Sequence, residues 1–154
     1  GETVFLMVRS GLNNVCVDRE AGEYVIQTLT QNVGNPIPLG IGSAGVAILA
    51  AMPDAEAAAV LHANAARYAA FNKDAGAIAA SLARARAEGR VVTRDWTIEG
   101  VSAIAMPVRP PNRDAVAAIA VNMTTARMTP ARLEDISALL REEIAGIERA
   151  LRRG

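Results

Sequence analysis

Val101-Ser102-Ala103-Ile104-Ala105-Met106-Pro107-Val108 and, across a Pro110-Pro111-Asn112-Arg113-Asp114 loop, Val116-Ala117-Ala118-Ile119-Ala120-Val121-Asn122-Met123 are the two runs that decide the fold. Their composition predicts paired strands over 101–109 and 115–123. Side chains alternate along a strand, so Val101, Ala103, Ala105 and Pro107 share one face with Val116, Ala118, Ala120 and Asn122. Ser102, Ile104, Met106 and Val108 share the other with Ala117, Ile119, Val121 and Met123. One face is bulky and suits a core beneath helices. The other is small, and leaves room either for a close-packed Ala-rich helix or for a concavity holding one amide, Asn122. A buried Asn is costly unless backbone or a ligand satisfies it. Small side chains with one convergent amide describe the wall of a small-molecule pocket.

Outward from these strands, the chain opens with short β-branched and aromatic runs: Val4–Val8, Val15–Val17 and Tyr24–Ile26 onward, separated by turns at 10–14 and 20–23. This is the pattern of a β-meander. Residues 32–38, with Gly34, Pro36 and Pro38, read as a loop. Helical periodicity then predicts three helices: Gly45–Met52, stopped by Pro53; Asp54–Phe71; and Asp74–Glu88, ended by Gly89 as a left-handed cap. Arg90–Arg94 returns to strand character. Thr129-Pro130 supplies a cap and a first-turn proline for a long terminal helix. Its apolar stripe is Leu133, Ile136, Leu140, Ile144, Ile147 and Leu151, suited to packing on a sheet. The order βββ-ααα-βββ-α predicts an α+β domain with a largely antiparallel sheet of about six strands flanked by helices.

The chain has 154 residues, with 16 basic against 16 acidic side chains, one Cys and one His. This length fits a single domain over 1–154 with its own core. Zero net charge argues against autonomous DNA binding, which needs several cations on one face to replace phosphate counterions. Cys16 can form no internal disulfide, and no Cys/His cluster offers the ligands of a zinc site. The longest uninterrupted apolar run, Val46–Met52, falls far short of the ~20 residues that span a bilayer. A cytoplasmic, membrane-free protein is expected.

Gly40-Ile41-Gly42-Ser43-Ala44-Gly45 matches G-x-G-x-x-G and opens a helix. A dinucleotide site also needs a buried strand before the motif and an acid at the end of the next strand. Pro36 and Pro38 stand where the first would be, and Ala57–Val60 lies within a helix. The loop still presents the amides of Ser43, Ala44 and Gly45, a place of positive potential suited to a carboxylate or phosphate; equally, its glycines could simply permit a tight loop and close packing. Catalysis finds little support. His62 lies in an Ala-rich helix, Cys16 in an early strand, and Asp18/Glu20 and Glu142/Glu143 read as exposed charges. Trp96 reads as an exposed aromatic, either pocket lid or subunit contact.

Pro38–Ala50, Glu99-Gly100-Val101, Ile104–Val108 and Ala117–Val121, with Val17-Asp18-Arg19 early and Arg127-Met128-Thr129 late, together resemble the effector-binding domain of IclR-type bacterial transcription regulators. The resemblance covers essentially the whole chain in order. It implies a GAF-like domain that binds a small organic effector, here expected to be an organic acid, forms homodimers or dimers of dimers, and contacts DNA only through an N-terminal winged helix-turn-helix absent from these residues. It implies no catalysis, cofactor or metal. Carried over by position, the pocket residues are Ser43, Ala44, Thr93, Val101, Ala103, Ala120 and Asn122. Many relatives have Lys at the place of Val46, an acid at Thr93, Cys at Ala103, and Ser at Ala120 and Asn122, so a less polar pocket is expected here. Its ligand would set a carboxylate on the Ser43/Ala44 amides and an apolar or aromatic body on Ala103 and Ala120. Two other readings stand beside the sensor: a small metabolic enzyme or nucleotide-binding module built on the Gly40–Gly45 loop, and a purely structural dimerisation domain.

Overall fold

The structure, a computed structural model, describes residues 1–23, 33–111 and 117–154. In chain order these form β1 (Thr3–Ser10), β2 (Asn13–Glu20), β3 (Pro36–Pro38), α1 (Ser43–Ala50), α2 (Asp54–Asn64), α3 (Ala75–Glu88), β4 (Val91–Arg94), β5 (Val101–Val108), β6 (Ala117–Thr124) and α4 (Pro130–Arg153), with 3-10 segments at Ala65–Phe71 and Thr125–Arg127. The strands make one six-stranded antiparallel sheet of order β3-β2-β1-β6-β5-β4. The expected α+β class and element order hold.

The third strand is the principal correction. The strand expected from Tyr24 lies outside the described residues, whereas Pro36–Pro38, expected as loop, pairs with β2 through Asn13, Asn14 and Val15. Proline lacks a donor and is confined to sheet edges; β3 is an edge strand, so its two prolines interrupt nothing. A strand therefore does precede the glycine loop, but it is three residues long and antiparallel, unlike the parallel strand of a dinucleotide-binding unit.

The small and bulky strand faces each find the partner their size permits. On the small face, Phe5, Met7, Ala105, Ala118 and Ala120 join Leu39, Ile41, Val46, Ile48 and Leu49 in one core. Seven of the eight α1 residues are buried, as befits a helix apolar all round. Gly42, at φ 82°, is its N-cap, so the helix starts two residues earlier than the expected Gly45 and ends at Ala50 rather than Met52. On the bulky face, Ile104, Met106, Val108, Val121 and Met123 pack with Met128, Leu140 and Ile144. The expected Asp54–Phe71 helix is α2 followed by the 3-10 segment, which closes at Asn72 in the left-handed region, φ 56°. Asp74 caps α3 by accepting from the Ala77 amide, and Gly89 ends it at φ 72°.

Thr129 caps α4 by accepting from the Arg132 amide, with Pro130 in the first turn. Of its expected stripe, Leu140 and Ile144 are buried and Leu133 and Ile136 pack against the same core, whereas Ile147 and Leu151 are exposed. The helix has 24 residues and β5 has eight, lengths of about 36 Å and about 26 Å. At the other end, the buried Glu2 carboxylate accepts from Arg127 at 2.6 Å and from Arg132 at 2.7 Å, tying the start of β1 to the start of α4.

Adjacent α4 positions provide a test of this packing. Leu140 is 6% exposed and Leu139 59%. Leu140→Ala is expected to lower the unfolding free energy by about 2–4 kcal/mol, and Leu139→Ala by under about 0.5 kcal/mol. Urea denaturation of both variants checks the difference.

Candidate functional site

Strand register builds the wall of the site. Thr93 pairs with Ala103, Ala103 with Asn122, and Asn122 with Thr3, so these four residues form one row across β4, β5, β6 and β1. The next row is Val91, Ala105, Ala120 and Phe5, all buried beneath α1. α1 covers this second row and begins over the first. The resulting concavity is walled by Ser43 and Ala44 at the helix start, by Thr93, Val101, Ala103 and Asn122 from the sheet, and by Met7, Asn14, Ile37 and Ile41 behind.

Six of the seven expected pocket residues thus meet in one place. Ala120 is the exception: it lies one row deeper, fully buried, and does not reach the cavity. Alternation puts Ala120 and Asn122 on the same face, but only the position of α1 decides which row stays open.

Two buried polar atoms on this wall are left without partners. Ser43 is 2% exposed, and its Oγ has no hydrogen-bond partner among the described residues. Asn14 is fully buried; its Nδ2 donates to the Pro38 carbonyl at 3.3 Å, while its Oδ1 is likewise unpartnered. Leaving such an atom unsatisfied costs about 1–3 kcal/mol. Beside them is the first turn of α1. Its opening amides have no acceptor within the helix, Gly42 offers no capping side chain, and no acid lies in the turn.

The glycines of the loop serve approach rather than nucleotide binding. A Cβ on Gly45 would stand 2.9 Å from both Asn14 Nδ2 and the Gly40 amide nitrogen. At Gly40, φ 106°, it would stand 2.9 Å from Ile78 Cγ2 and 3.0 Å from the Tyr68 hydroxyl oxygen. That hydroxyl donates to the Leu39 carbonyl at 2.7 Å and locks the loop onto the 3-10 segment; burial pushes its pKa up.

The β4–β5 loop closes the mouth through Thr97 and Ile98. Trp96 does not line the cavity; it packs against the main core with the Lys73 ammonium 4.7 Å from its ring centroid. Asp95, at φ 50°, holds the loop's ends. Its Oδ1 accepts from the Thr125 hydroxyl at 2.7 Å and from the Gly100 amide at 2.7 Å. The Thr125 proton is therefore used, so in the 2.8 Å contact between the Ser102 and Thr125 hydroxyls Ser102 is the donor. The cavity volume is about 30 Å³, room for one or two waters.

Asn14, Met7, Ile37, Ile41, Thr97 and Ile98 were not among the expected pocket residues. Asn14 carried a readable signal, a polar residue in phase with inward Cys16. The others meet the site only through β-pairing and loop closure. Catalytic groups are not assembled here. His62 is exposed, Asp18, Glu20, Glu142 and Glu143 are exposed, and burial raises the Cys16 pKa, holding it as a thiol that donates to the Asp18 carbonyl. Among the described residues no three His, Cys, Asp or Glu side chains could hold a metal ion, and no helix is long and apolar enough to cross a membrane.

The fold is an α+β domain with a concavity at the start of α1. The family model described as "Bacterial transcriptional regulator IclR C-terminal" matches residues 1–149, and the chain belongs to this family. It is the effector-binding domain of a family of transcriptional regulators, not of enzymes. The chain is 34% identical over 134 residues to "Probable transcriptional regulator SauR" of Cupriavidus necator, covering 84% of this chain and 52% of that protein. It thus spans about half the length of the curated relative it matches. Among solved structures it resembles the IclR protein of Thermotoga maritima, with a TM-score of 0.86, 23% identity, and 98% and 62% of the two chains covered. It also resembles the inducer-binding domain of a PobR double mutant from Acinetobacter in complex with 3-hydroxybenzoic acid. There the TM-score is 0.77 at 20% identity, covering 96% and 87% of the two chains.

The Asp95 latch generates a pH prediction. Chiefly the Thr125 hydroxyl, and then the Gly100 amide, hold its carboxyl below the ordinary aspartate value. A depressed folded pKa gives a contribution that is fully present above the unfolded value, near 3.8, and is lost as pH falls through the folded one. The Gly100 amide resonance should hold steady at neutral pH and shift in acid below that value. Asp95→Asn should abolish the transition in an NMR pH titration.

Proposed function

We propose that this domain senses a small organic acid and transmits its presence as a change in the arrangement of a regulator's subunits. The observation that carries the reading is the meeting of an uncapped α1 start with the unpartnered Ser43 Oγ and Asn14 Oδ1 on one wall. A carboxylate on the first-turn amides of α1 gains from the helix dipole and accepts from the Ser43 hydroxyl. Asn14 Oδ1 is an acceptor, and suits a ligand hydroxyl. The apolar body then lies against Ala103, Met7, Ile37 and Ile41, rather than against Ala120. The small volume favours a compact acid. The 3-hydroxybenzoic acid bound to the similarly folded PobR domain is of this chemical type, an acid bearing a hydroxyl.

In this reading residues 1–154 are one effector-binding unit of a longer cytoplasmic protein, and a winged helix-turn-helix N-terminal to it contacts DNA. The chain's span of 52% of SauR and 62% of the Thermotoga protein supports that division. The assembly is a homodimer or a dimer of dimers. Effector binding favours one of its arrangements, and so one spacing of the DNA-binding heads, by differential affinity for the two. The domain itself carries no catalysis and needs no cofactor.

Calorimetric titration with a panel of keto, hydroxy and aromatic acids tests the site. Ser43 is the first residue of α1, where proline is tolerated, so Ser43→Pro deletes one amide donor and the hydroxyl while keeping the helix. Losing a hydrogen bond to a charged group costs about 1.5–3 kcal/mol, so the affinity of any acid that binds should fall at least about tenfold. Asn122→Leu should also weaken it. Binding unchanged in both variants would show that the acid sits elsewhere.

A further inference from the structure

A second concavity, larger than the first, opens at the far ends of the same two elements. Ser43 and Ala44 at the start of α1, and Val101 and Ala103 at the start of β5, line the pocket described above; Ala47 and Ala50 of α1, and Met106 and Pro107 of β5, line this cleft, with α3 and α4 as its sides. Its volume is about 370 Å³, within the range of small-molecule sites. We propose that it is a second ligand site, for a small amphipathic organic anion, independent of the effector pocket.

The floor is apolar: Ala47, Ala50, Ala85, Met106 and Ile144. The rim carries four guanidinium groups, Arg86, Arg90, Arg109 and Arg141, against one carboxylate, Glu148. Two of the four are occupied. Arg86 pairs with Asp54 at 3.1 Å and donates to the Ala50 carbonyl; Arg90 pairs with Glu134 at 2.9 Å and donates to the Ser137 hydroxyl at 2.7 Å. Arg109 and Arg141 are not. Neither guanidinium forms an ion pair among the described residues, although Arg109 lies near the one rim acid. Glu148 instead accepts from the Arg109 backbone amide at 2.8 Å.

Two guanidinium groups without an ion pair among the described residues, one at the end of β5 and one on α4 that also lowers the pKa of Glu134 from a distance, therefore overlook one apolar floor. Guanidinium forks recognise carboxylate and phosphate oxygens by paired hydrogen bonds. An apolar floor between them selects anions with a hydrocarbon body over bare inorganic ions, because burial of that body adds about 25 cal/mol per Å². Both arginines are exposed, so replacing them leaves the core intact.

The test uses phenyl phosphate as probe, titrated calorimetrically into the 154-residue chain and its variants. Saturable one-to-one binding is expected, at least about tenfold weaker in Arg109→Gln/Arg141→Gln and unaltered in Ser43→Pro. Inorganic phosphate should bind at least about tenfold more weakly than the probe. The proposal is overturned by an absence of saturation up to about 10 mM, by undiminished affinity in the double variant, by equal affinity for inorganic phosphate, or by loss of binding in Ser43→Pro, which would place the probe in the other pocket.

Discussion

The approach of α1 to the sheet is the contact on which the rest of this domain depends. Ala105, Ala118 and Ala120 leave a shallow trough on one sheet face, and α1, apolar on every side, fills it. No bulkier set of side chains would let a helix lie so deep, and no amphipathic helix could afford burial of seven of its eight residues. The glycines continue the same logic at the entrance. Gly45 sits where any Cβ would strike Asn14 and the Gly40 backbone, so the loop, the helix start and the amide of β2 are brought together as one packed unit.

From that contact the pocket follows. Because α1 begins over the Thr93–Ala103–Asn122 row and covers the next, its first-turn amides face small side chains across a gap instead of packing on them. Ser43 Oγ and Asn14 Oδ1 are held unpartnered on that gap by neighbours that are themselves fully packed. A buried polar atom without a partner costs local stability. The loop that closes the gap is held differently. Asp95, Thr125, Gly100 and the buried Ser102 form a polar latch.

Much of the site was legible because strand alternation and helix-start chemistry are local. Val101, Ala103 and Asn122 declare their shared face by spacing, and Ser43 and Ala44 follow Gly42 at a helix start. Thr93 joined them through the family resemblance, and the β4–β5 register places it beside Ala103. Period-two alternation names a face but not a depth along it, so it does not separate buried Ala120 from Asn122. Asn14 was read as turn although it stands in phase with Cys16 on a strand that loses one register step at Val17, where Leu6 faces Asp18 and Met7 faces Cys16. Two prolines in Pro36–Pro38 argue against a strand by local pattern, and an edge position is a place where they do not.

The sequence by itself determined the α+β class, the order of elements apart from the third strand, the capped limits of α3 and the capped start of α4, and the division of β5 and β6 into a small and a bulky face. These are set by side-chain periodicity, turn residues and caps, which act over a few neighbouring residues. Only the tertiary structure decided which row of small residues stays open, that Asn14 and the Thr97–Ile98 loop complete the wall, and that Arg109 and Arg141 overlook one cleft. Those facts depend on contacts between residues far apart in the chain, where strand register and the seat of α1 set distances that no local pattern encodes.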